Sequence, residues 1–326
     1  MDESAQEGVH MEKSLDKPLF PPYLALLIGV IAISTSAIFV KLSAAPAPII
    51  ATYRLVFSVV LTLPFLFWNR GAVSEIVKMP KKVWLLCLLS GAFLASHFLL
   101  WFESLNYTSV ASSTVLVTLQ PLFAFIGGYF FFGEKVRLLA LTGGLLAVVG
   151  SFVIGWGDFQ VGGMALLGDA LALLGAATVT GYWLVGQYVR QHMSSFAYTL
   201  VVYSATSLIL VAYDLVLGYP LIGYPAADWG WFFCLALFPT LLGHSIFNWI
   251  IKWLNTTTIS MGILGEPIGT AILAYFILGE VVTLPQWIGG LIIIAGIYLF
   301  IRYNQSAKGV STDESKPAAT SPEKLA

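Results

Sequence analysis

Charged residues are scarce in this chain of 326 residues: Asp, Glu, Lys and Arg together make up 10% of it, whereas hydrophobic residues make up 58%. A soluble domain averages about 25% charged and about 45 to 50% apolar residues. The composition therefore indicates a membrane protein. The net charge is −1, and no cluster of Lys and Arg lies among aromatic residues. The sequence therefore shows no surface of the kind that binds nucleic acid.

Cysteine and histidine are rarer still. The two cysteines, Cys87 and Cys234, each lie inside an apolar run, which indicates buried thiols rather than a disulfide framework. The four histidines have no spacing typical of metal ligands, so we expect no metal and no cofactor. The sequence has no G-x-x-x-x-G-K-[ST] run, so ATP-driven pumping by this chain is not expected.

Long apolar runs fill the space between the two charged ends of the chain. A bilayer core about 30 Å thick needs roughly 20 apolar residues in a helix, and ten such runs occur. We number them as spans one to ten, and their predicted bounds are 22–41, 47–68, 82–103, 108–132, 137–156, 163–188, 196–217, 229–252, 257–279 and 284–302. The chain is expected to be an all-α polytopic membrane protein.

Positive charge is unevenly distributed between the predicted loops. Fourteen of the sixteen Lys and Arg residues lie in the tails or in the loops after spans two, four, six and eight. Because short cytoplasmic loops are enriched in Lys and Arg, we expect both ends of the chain to be cytoplasmic. The predicted tails are residues 1–21 and 303–326, and the second is expected to be disordered.

The second half of the chain repeats the first at an offset of 146 or 147 positions. The matched residues are Trp84 with Trp231, Cys87 with Cys234, His97 with His244, Gln120-Pro121 with Glu266-Pro267, and Gly133-Glu134 with Gly279-Glu280. Residues 22–156 and 163–302 are therefore two units of five spans. Since five is odd, the second unit enters the membrane from the opposite side, and the two form inverted repeats, which are typical of secondary transporters.

Two segments carry a resemblance to a known family. They read SLNYTSVASSTVLVTLQPLFAFIGGYFFFGEKVRLLALTGGLLAVVGSFVI (104–154) and FNWIIKWLNTTTISMGILGEPIGTAILAYFILGEVVTLPQWIGGLIIIAGIYLFI (247–301). Each has a hydroxyl-rich helix start, a proline in mid-helix, a Gly-Glu turn and a glycine-containing last helix. In this doubled pattern the chain resembles the EamA-type transporters of the drug/metabolite transporter superfamily.

The resemblance has consequences for fold and function. It implies a bundle in which the first four helices of each half surround a central substrate cavity, with spans five and ten at the periphery. It also implies export of small metabolites, amino acids or drugs. Arg54 in TYRLVF is similar to an arginine common in the second helix of the family, and Gly168-Asp169 is a further match. One departure is Gln120, where the second copy has Glu266.

Glu266 is the first candidate for a substrate or proton site. It precedes Pro267 in the middle of span nine, and a proline there breaks the helix and frees backbone polar groups to line a cavity. A carboxylate at such a break could bind a cation or exchange a proton, or it could be a structural group bonded to a neighbouring helix. Gln120, before Pro121, is its uncharged counterpart.

The other candidates have two interpretations each. His97 and His244 could take part in substrate or proton binding, since histidine titrates near neutral pH, or could be inherited helix contacts. Arg54 could anchor an anionic group, pair with Glu103, or extend to the interface. Aromatic and amide residues at possible cavity positions, which could equally serve packing, are Trp101, Tyr182, Trp183, Asn248, Trp249 and Tyr275.

The remaining charged positions are expected to be structural. Lys41 is predicted to extend to the membrane interface, Asp169 to cap span six, and Glu134 and Glu280 to form hairpin turns. The expected function is a secondary transporter of small organic solutes in the plasma membrane, possessing no enzymatic activity. A membrane-embedded accessory or lipid-modifying protein is the alternative, and assembly as a homodimer is left open.

Overall fold

The structure is a computed structural model that describes residues 18–156 and 163–313. Within these ranges all regular structure is helical, and ten helices are long and apolar enough to cross a membrane. Their bounds are Pro22–Leu42, Ala47–Phe67, Lys81–Ser104, Ser112–Phe132, Leu138–Gly155, Gly163–Val189, Ser195–Leu217, Ala226–Ile250, Thr256–Leu278 and Leu284–Asn304. The prediction of an all-α protein with ten spans is confirmed.

Four of the spans are interrupted. Span one consists of Pro22–Ile33 and Ser36–Leu42, span four of Val110–Val117 and Gln120–Phe132, and span nine of Thr256–Ile263 and Glu266–Leu278. Span eight runs from Ala226–Leu235 through a π-helix, Ala236–His244, into Ser245–Ile250. Span two consists of an α-helix, Ala47–Thr62, and a 3₁₀ turn at its end, Leu63–Phe67. A short surface helix, Arg70–Lys78, follows it.

The last helix is longer than predicted. Span ten belongs to a helix that runs over Leu284–Asp313, into the segment that the sequence predicts as a tail. Most of both predicted tails, including Lys13, Lys17, Lys316 and Lys324, lies outside the described residues. The tails stay predictions.

Local sequence signals set the ends of several helices. Ser109, Ser194 and Asn255 precede spans and accept a hydrogen bond from the backbone N–H three residues on, as N-cap residues do. Gly133 and Gly279 end spans four and nine with φ of 64° and 71°, in the left-handed region that glycine adopts without strain. The repeated Gly-Glu motif is thus the same turn made twice.

Spans five and ten pack against each other through two glycine contacts that are related by the pseudo-two-fold symmetry of the repeats. A Cβ added at Gly143 would lie 2.8 Å from the carbonyl oxygen of Gly296, and one at Gly150 would lie 2.7 Å from that of Gly289. Position 143 is equivalent to 289, and 150 to 296. Each contact is therefore the symmetry mate of the other, as expected for inverted repeats.

The connections define two faces of the bundle. We call the face with the connections after spans two, four, six and eight the even-loop side, and the other the odd-loop side.

The cysteines are free: Cys87 is buried in the core and Cys234 is partly buried.

Candidate functional site

Spans four and nine are interrupted at equivalent positions near their middle. In each, the second helix begins at the Gln or Glu and has its proline, Pro121 or Pro267, in the first turn. A helix needs no N–H donor at that position, so proline fits there. The N-terminal ends of two half-helices, with their partial positive charge, are thereby placed inside the bundle.

A small polar cavity lies between the two interruptions. Its volume is about 20 Å³, room for about one water molecule. Its lining comes from seven spans, and the residues are Ile33, Ser36, Arg54, His97, Trp101, Val117, Gln120, Val179, Trp183, His244, Phe247, Ile263 and Glu266. All of them are buried. Six of the predicted site residues, from both repeats, therefore meet at one place.

The two interruptions are held by matching hydrogen bonds from the opposite repeat. The Ser34 hydroxyl lies 3.3 Å from the carbonyl oxygen of Glu266, and the Thr180 hydroxyl lies 3.4 Å from that of Gln120. Each hydroxyl shares its proton with a carbonyl of its own helix, at 2.8 Å. Each residue of the second pair is 146 positions from its equivalent in the first. The interface between the repeats thus preserves the inverted symmetry at the site itself.

Arg54 is fully buried in the cavity wall. Its Nε donates to Thr240 Oγ1 and its Nη1 to Ser36 Oγ, both at 2.7 Å. The guanidinium carbon lies 4.3 Å from the centre of the Phe98 ring. Arg54 therefore does not extend to the interface, and Glu103 instead accepts a hydrogen bond from the Tyr107 hydroxyl at 3.0 Å.

The π-helix of span eight positions the main partner of Arg54. Pro239 lies inside this helix and cannot donate a backbone hydrogen bond. The Thr240 hydroxyl donates to the carbonyl oxygen of Leu235 at 2.8 Å, which leaves its oxygen free to accept from Arg54. The local break thus builds one wall of the site.

The two equivalent histidines stack on different tryptophans. His97 lies on Trp101, with centroids 5.7 Å apart and planes at 20°. His244 lies on Trp183, with centroids 5.4 Å apart and planes at 13°. The Nδ1 of His97 donates to the carbonyl oxygen of Gly175 at 3.0 Å, whereas the Nδ1 of His244 is buried with no partner among the described residues.

Several buried polar atoms around the cavity have no hydrogen-bond partner in the described part of the chain. They are Nη2 of Arg54, Nε1 of Trp101, Nε1 of Trp183, Oε1 of Gln120 and Nδ1 of His244. Buried polar groups are nearly always paired, so a concentration of unpaired ones needs an explanation. A polar ligand that accepts from the Arg and Trp groups and donates to Gln120 would supply it.

The two charges of the site attract each other but are not in direct contact. Arg54 and Glu266 line the same cavity, yet within residues 18–156 and 163–313 neither forms an ion pair, and no hydrogen bond reaches the Glu266 carboxylate. Removing a charge from water costs several kcal/mol unless partners replace the water. The arrangement suits a solute that brings charged or polar groups of its own.

Tyr182 and Asn248 lie behind the cavity wall. The Tyr182 hydroxyl donates to Asn248 Oδ1 at 2.6 Å, and Arg190 Nε donates to the backbone oxygen of Asn248 at 2.8 Å. Burial lowers the pKa of Arg190 to about 10, so it keeps its charge at neutral pH. Tyr182 and Asn248 do not line this cavity, and their role in a substrate or proton pathway stays a prediction.

The structure adds residues that the sequence did not single out. Ser36 and Thr240 hold Arg54, and Phe247 lines the cavity beside His244. Trp183, one of several aromatic residues considered, is a cavity residue, whereas Tyr275 is half exposed on the outer surface. A polar residue next to a proline, as in Pro239-Thr240, is the one sequence signal that could have found Thr240.

Asp169 has a different role from the predicted one. Its Oδ1 accepts hydrogen bonds from the hydroxyls of Thr108 and Ser112 at 2.8 and 2.9 Å. The carboxylate therefore joins span six to the start of span four and does not cap its own helix, which begins six residues earlier at Gly163. Lys41 is exposed in the last turn of its helix.

A much larger cavity lies elsewhere and differs in character. It measures about 490 Å³ and opens between spans one, nine and ten. Residues that line it, such as Leu27, Ile31 and Ile294, are more than half exposed on the outside of the bundle. This surface faces lipid, so the small polar cavity is the better candidate for a solute site.

Ten spans in two inverted repeats, with a polar cavity enclosed between the repeats, define a membrane transporter of the inverted-repeat class. The EamA-like transporter family matches residues 20–156 and again 166–302. The chain belongs to this family, which confirms the resemblance seen in the sequence.

Individual proteins agree with this assignment. An uncharacterized transporter of Archaeoglobus fulgidus is 22% identical over 84% of this chain and 94% of its own length. The uncharacterized transporter YetK of Bacillus subtilis is 25% identical over 86% of each chain. One solved structure, described only as the crystal structure of a protein, has a TM-score of 0.72 at 16% identity and covers 87% of this chain and 98% of that one. It shares the fold.

Proposed function

We propose that this protein is a secondary transporter that binds a small organic solute in the cavity between its repeats and exposes it alternately to the two sides. The observation that carries the proposal is the concentration of unpaired buried polar atoms on Arg54, Gln120, His244 and the two tryptophans. A cavity of about 20 Å³ is too small for an organic solute. The described conformation is therefore a closed one, and loading requires the spans to separate.

The solute we propose carries both a negatively charged group and a hydrogen-bond donor. The negative group would accept from Arg54 Nη2 and from the indole N–H groups, which is the chemistry a guanidinium favours. The donor would reach Gln120 Oε1 and the Glu266 carboxylate. A zwitterion meets both requirements, and the stacked rings around the cavity suit an apolar or aromatic side group.

Thermal-shift screening of the purified protein tests this chemistry, because a ligand that binds the folded state raises the melting temperature. A matched set isolates each group: an amino acid, its carboxamide, which lacks the negative charge, and its N-acetyl derivative, which lacks the ammonium group. We expect stabilisation by members of the first type and its loss in both derivatives. Stabilisation by polyamines and by none of the zwitterions would contradict the proposal.

We also propose that Glu266 exchanges a proton during transport. The observation that supports this proposal is that the Glu266 carboxylate is buried at the start of a half-helix and forms no hydrogen bond or ion pair with the described residues. In proteoliposomes containing the solute found by screening, E266Q should remove the response of uptake to an imposed pH gradient. An unchanged response would contradict proton exchange and would leave uniport.

The direction and setting that we propose follow from sequence. The distribution of Lys and Arg supports a plasma-membrane protein with cytoplasmic ends and with the even-loop side in the cytoplasm. The similarity to EamA-type transporters supports export. Labelling of intact cells with a membrane-impermeant reagent at engineered cysteines in the two sets of loops would test the orientation directly.

A further inference from the structure

The turn at the end of span four is tied to the opposite repeat on the even-loop side. Glu134 Oε2 accepts hydrogen bonds from Asn255 Nδ2 at 2.7 Å and from Thr257 Oγ1 at 2.9 Å, and its Oε1 accepts from Gln187 Nε2 at 2.8 Å. The Gln187 amide oxygen in turn accepts from the backbone N–H of Thr256 at 2.6 Å. One carboxylate thus joins the end of span four to the start of span nine and the end of span six.

The backbone beneath this carboxylate is shaped to receive it. A Cβ added at Gly128 would lie 2.8 Å from Glu134 Oε2 and 3.2 Å from Thr257 Oγ1. Real Cβ atoms essentially never come as close as the first distance, so a side chain at 128 would displace the carboxylate. Gly128 therefore permits the contact, which a simple turn would not require.

The inverted repeat places a second, chemically different set of residues on the odd-loop side. Adding or subtracting 146 positions turns Glu134 into Glu280, Gln187 into Lys41, Asn255 into Ser109 and Gly128 into Ala274. The amide donor of the first set is thus replaced by an ammonium group. Together they form a potential ion pair with one hydroxyl partner.

This second set is separated in the structure. Lys41 and Glu280 are both exposed, and in the described residues no ion pair or hydrogen bond joins Glu280 to Lys41 or Ser109. Beneath Glu280 a cavity of about 40 Å³ lies between spans four and nine, with Thr114 and Thr270 in its wall. Thr114 and Thr270 are themselves buried, as are their equivalents on the even-loop side, Ser260 and Ala124, so the difference between the sides lies in the cavity and in the exposed, unbonded Lys41 and Glu280.

We propose that these two sets are alternating locks that position the repeats during transport. The even-side lock is Glu134 with Gln187, Asn255 and Thr257, and it is closed in this structure. The odd-side lock is Glu280 with Lys41 and Ser109, and it closes when the even-side lock opens. The inference rests on the proposed alternating access, and it makes Glu134 and Glu280 positioning residues and not ligands.

The different chemistry of the locks gives the cycle a bias. An exposed ion pair is weak and is screened by salt. The Glu134 carboxylate instead accepts three hydrogen bonds, and a hydrogen bond to a carboxylate is stronger than one between neutral groups. The conformation with the even-loop side closed should therefore predominate without solute. Raising the ionic strength should increase its share further.

The test uses single cysteines at a matched pair of positions in the full-length chain with C87A and C234A. T114C lies beneath the odd-side lock, and S260C, its equivalent, lies beneath the even-side lock. The rate of labelling of each thiol by N-ethylmaleimide reports access from its own side. The melting temperature of each purified variant is measured alongside.

In the E134Q variant we expect N-ethylmaleimide to label the thiol of S260C about tenfold faster and that of T114C more slowly, because the even-side lock loses hydrogen bonds to a charged group. K41Q or E280Q should do the reverse, and the charge exchange K41E/E280K should restore the rates. K81Q and E103Q, which each remove one charge outside the locks, on the even-loop side and the odd-loop side respectively, should change neither rate. Parallel increases at both thiols, or no change with E134Q, would overturn the inference.

The labelling result separates this inference from the proposed function, because it requires no solute. Reciprocal labelling in a protein that moves no solute across liposomes would sustain the locks and reject the transport proposal. Transport without reciprocal labelling would do the opposite.

Discussion

His97 and His244 face each other across the cavity with ring centroids 6.4 Å apart, and only His97 has a partner for its Nδ1 among the described residues. The sequence makes the two residues equivalent, but the structure gives them different surroundings. His97 is anchored to the Gly175 carbonyl of span six. His244 has an unpaired nitrogen beside the cavity, which makes it the better candidate for contact with a solute.

The histidine pair gives a prediction in which each variant is the control for the other. H97A should destabilise the protein by about 1 kcal/mol more than H244A, because only His97 has a hydrogen bond that joins its span to another helix; the Gly175 carbonyl itself keeps the Thr178 hydroxyl as a donor. H244A should cost less stability and should instead weaken ligand binding. Melting temperatures with and without the solute found by screening separate the two effects, and equal behaviour of the variants would contradict the distinction.

Arg54 gives a second prediction. R54K keeps the positive charge, but an ammonium group lacks the planar fork of the guanidinium. It cannot bond Ser36 and Thr240 and at the same time present a third N–H group to a solute, as Nη2 of Arg54 does. We expect affinity for a zwitterionic solute to fall about tenfold or more, the loss of a charge-assisted hydrogen bond. Isothermal titration on the folded variant measures it, and unchanged affinity would show that Nη2 has no ligand.

The difference between Gln120 and Glu266 gives a third prediction. Gln120 and Glu266 occupy equivalent helix starts, each held by a hydroxyl of the opposite repeat. If a carboxylate at this position exchanges the proton, the double variant Q120E/E266Q should recover part of the response to a pH gradient that E266Q loses. Q120E alone is the control for damage at position 120, and a double variant as unresponsive as E266Q would restrict the role to span nine.

The glycine contacts of spans five and ten give a fourth prediction. G143A would place a Cβ 2.6 Å from the backbone nitrogen of Phe300, and backbone cannot yield as a side chain can. We expect a loss of about 1 to 3 kcal/mol, as for other overpacked cores. G144A is the matched control, because its nearest neighbours are side-chain atoms of Phe125 and Met261 at 3.3 Å or more. A chemical denaturation series compares the two, and equal stability would contradict the packing argument.

The fold was largely readable from the sequence. Length and hydropathy fix ten spans, and the repeated Trp, Cys, His and Gly-Glu positions fix the inverted repeat, because rare residues rarely coincide by chance. The convergence of Glu266, Gln120, His97, His244, Arg54 and Trp101 on one cavity also agrees with their selection as polar or aromatic residues within the membrane, where such groups are costly.

Other features depend on packing that no local pattern encodes. Span one is interrupted at Ser34 and Thr35, with no proline or glycine in the interruption. Nothing in the sequence distinguishes His244 from His97, because the difference is whether a carbonyl of another helix lies within reach. The sequence predicts Glu134 only as a turn residue, since its partners Gln187 and Asn255 are 53 and 121 positions away.

The glycine contact between spans five and ten has an evolutionary consequence. Because Gly143 meets Gly296 while Gly150 meets Gly289, the surface is self-complementary, as in an isologous dimer. A single five-span unit therefore already carries the surface by which it would recognise an inverted twin. Fusion of such an antiparallel pair would give a chain of this kind, in which each half is free to carry its own residue at the helix start, Gln120 in one and Glu266 in the other.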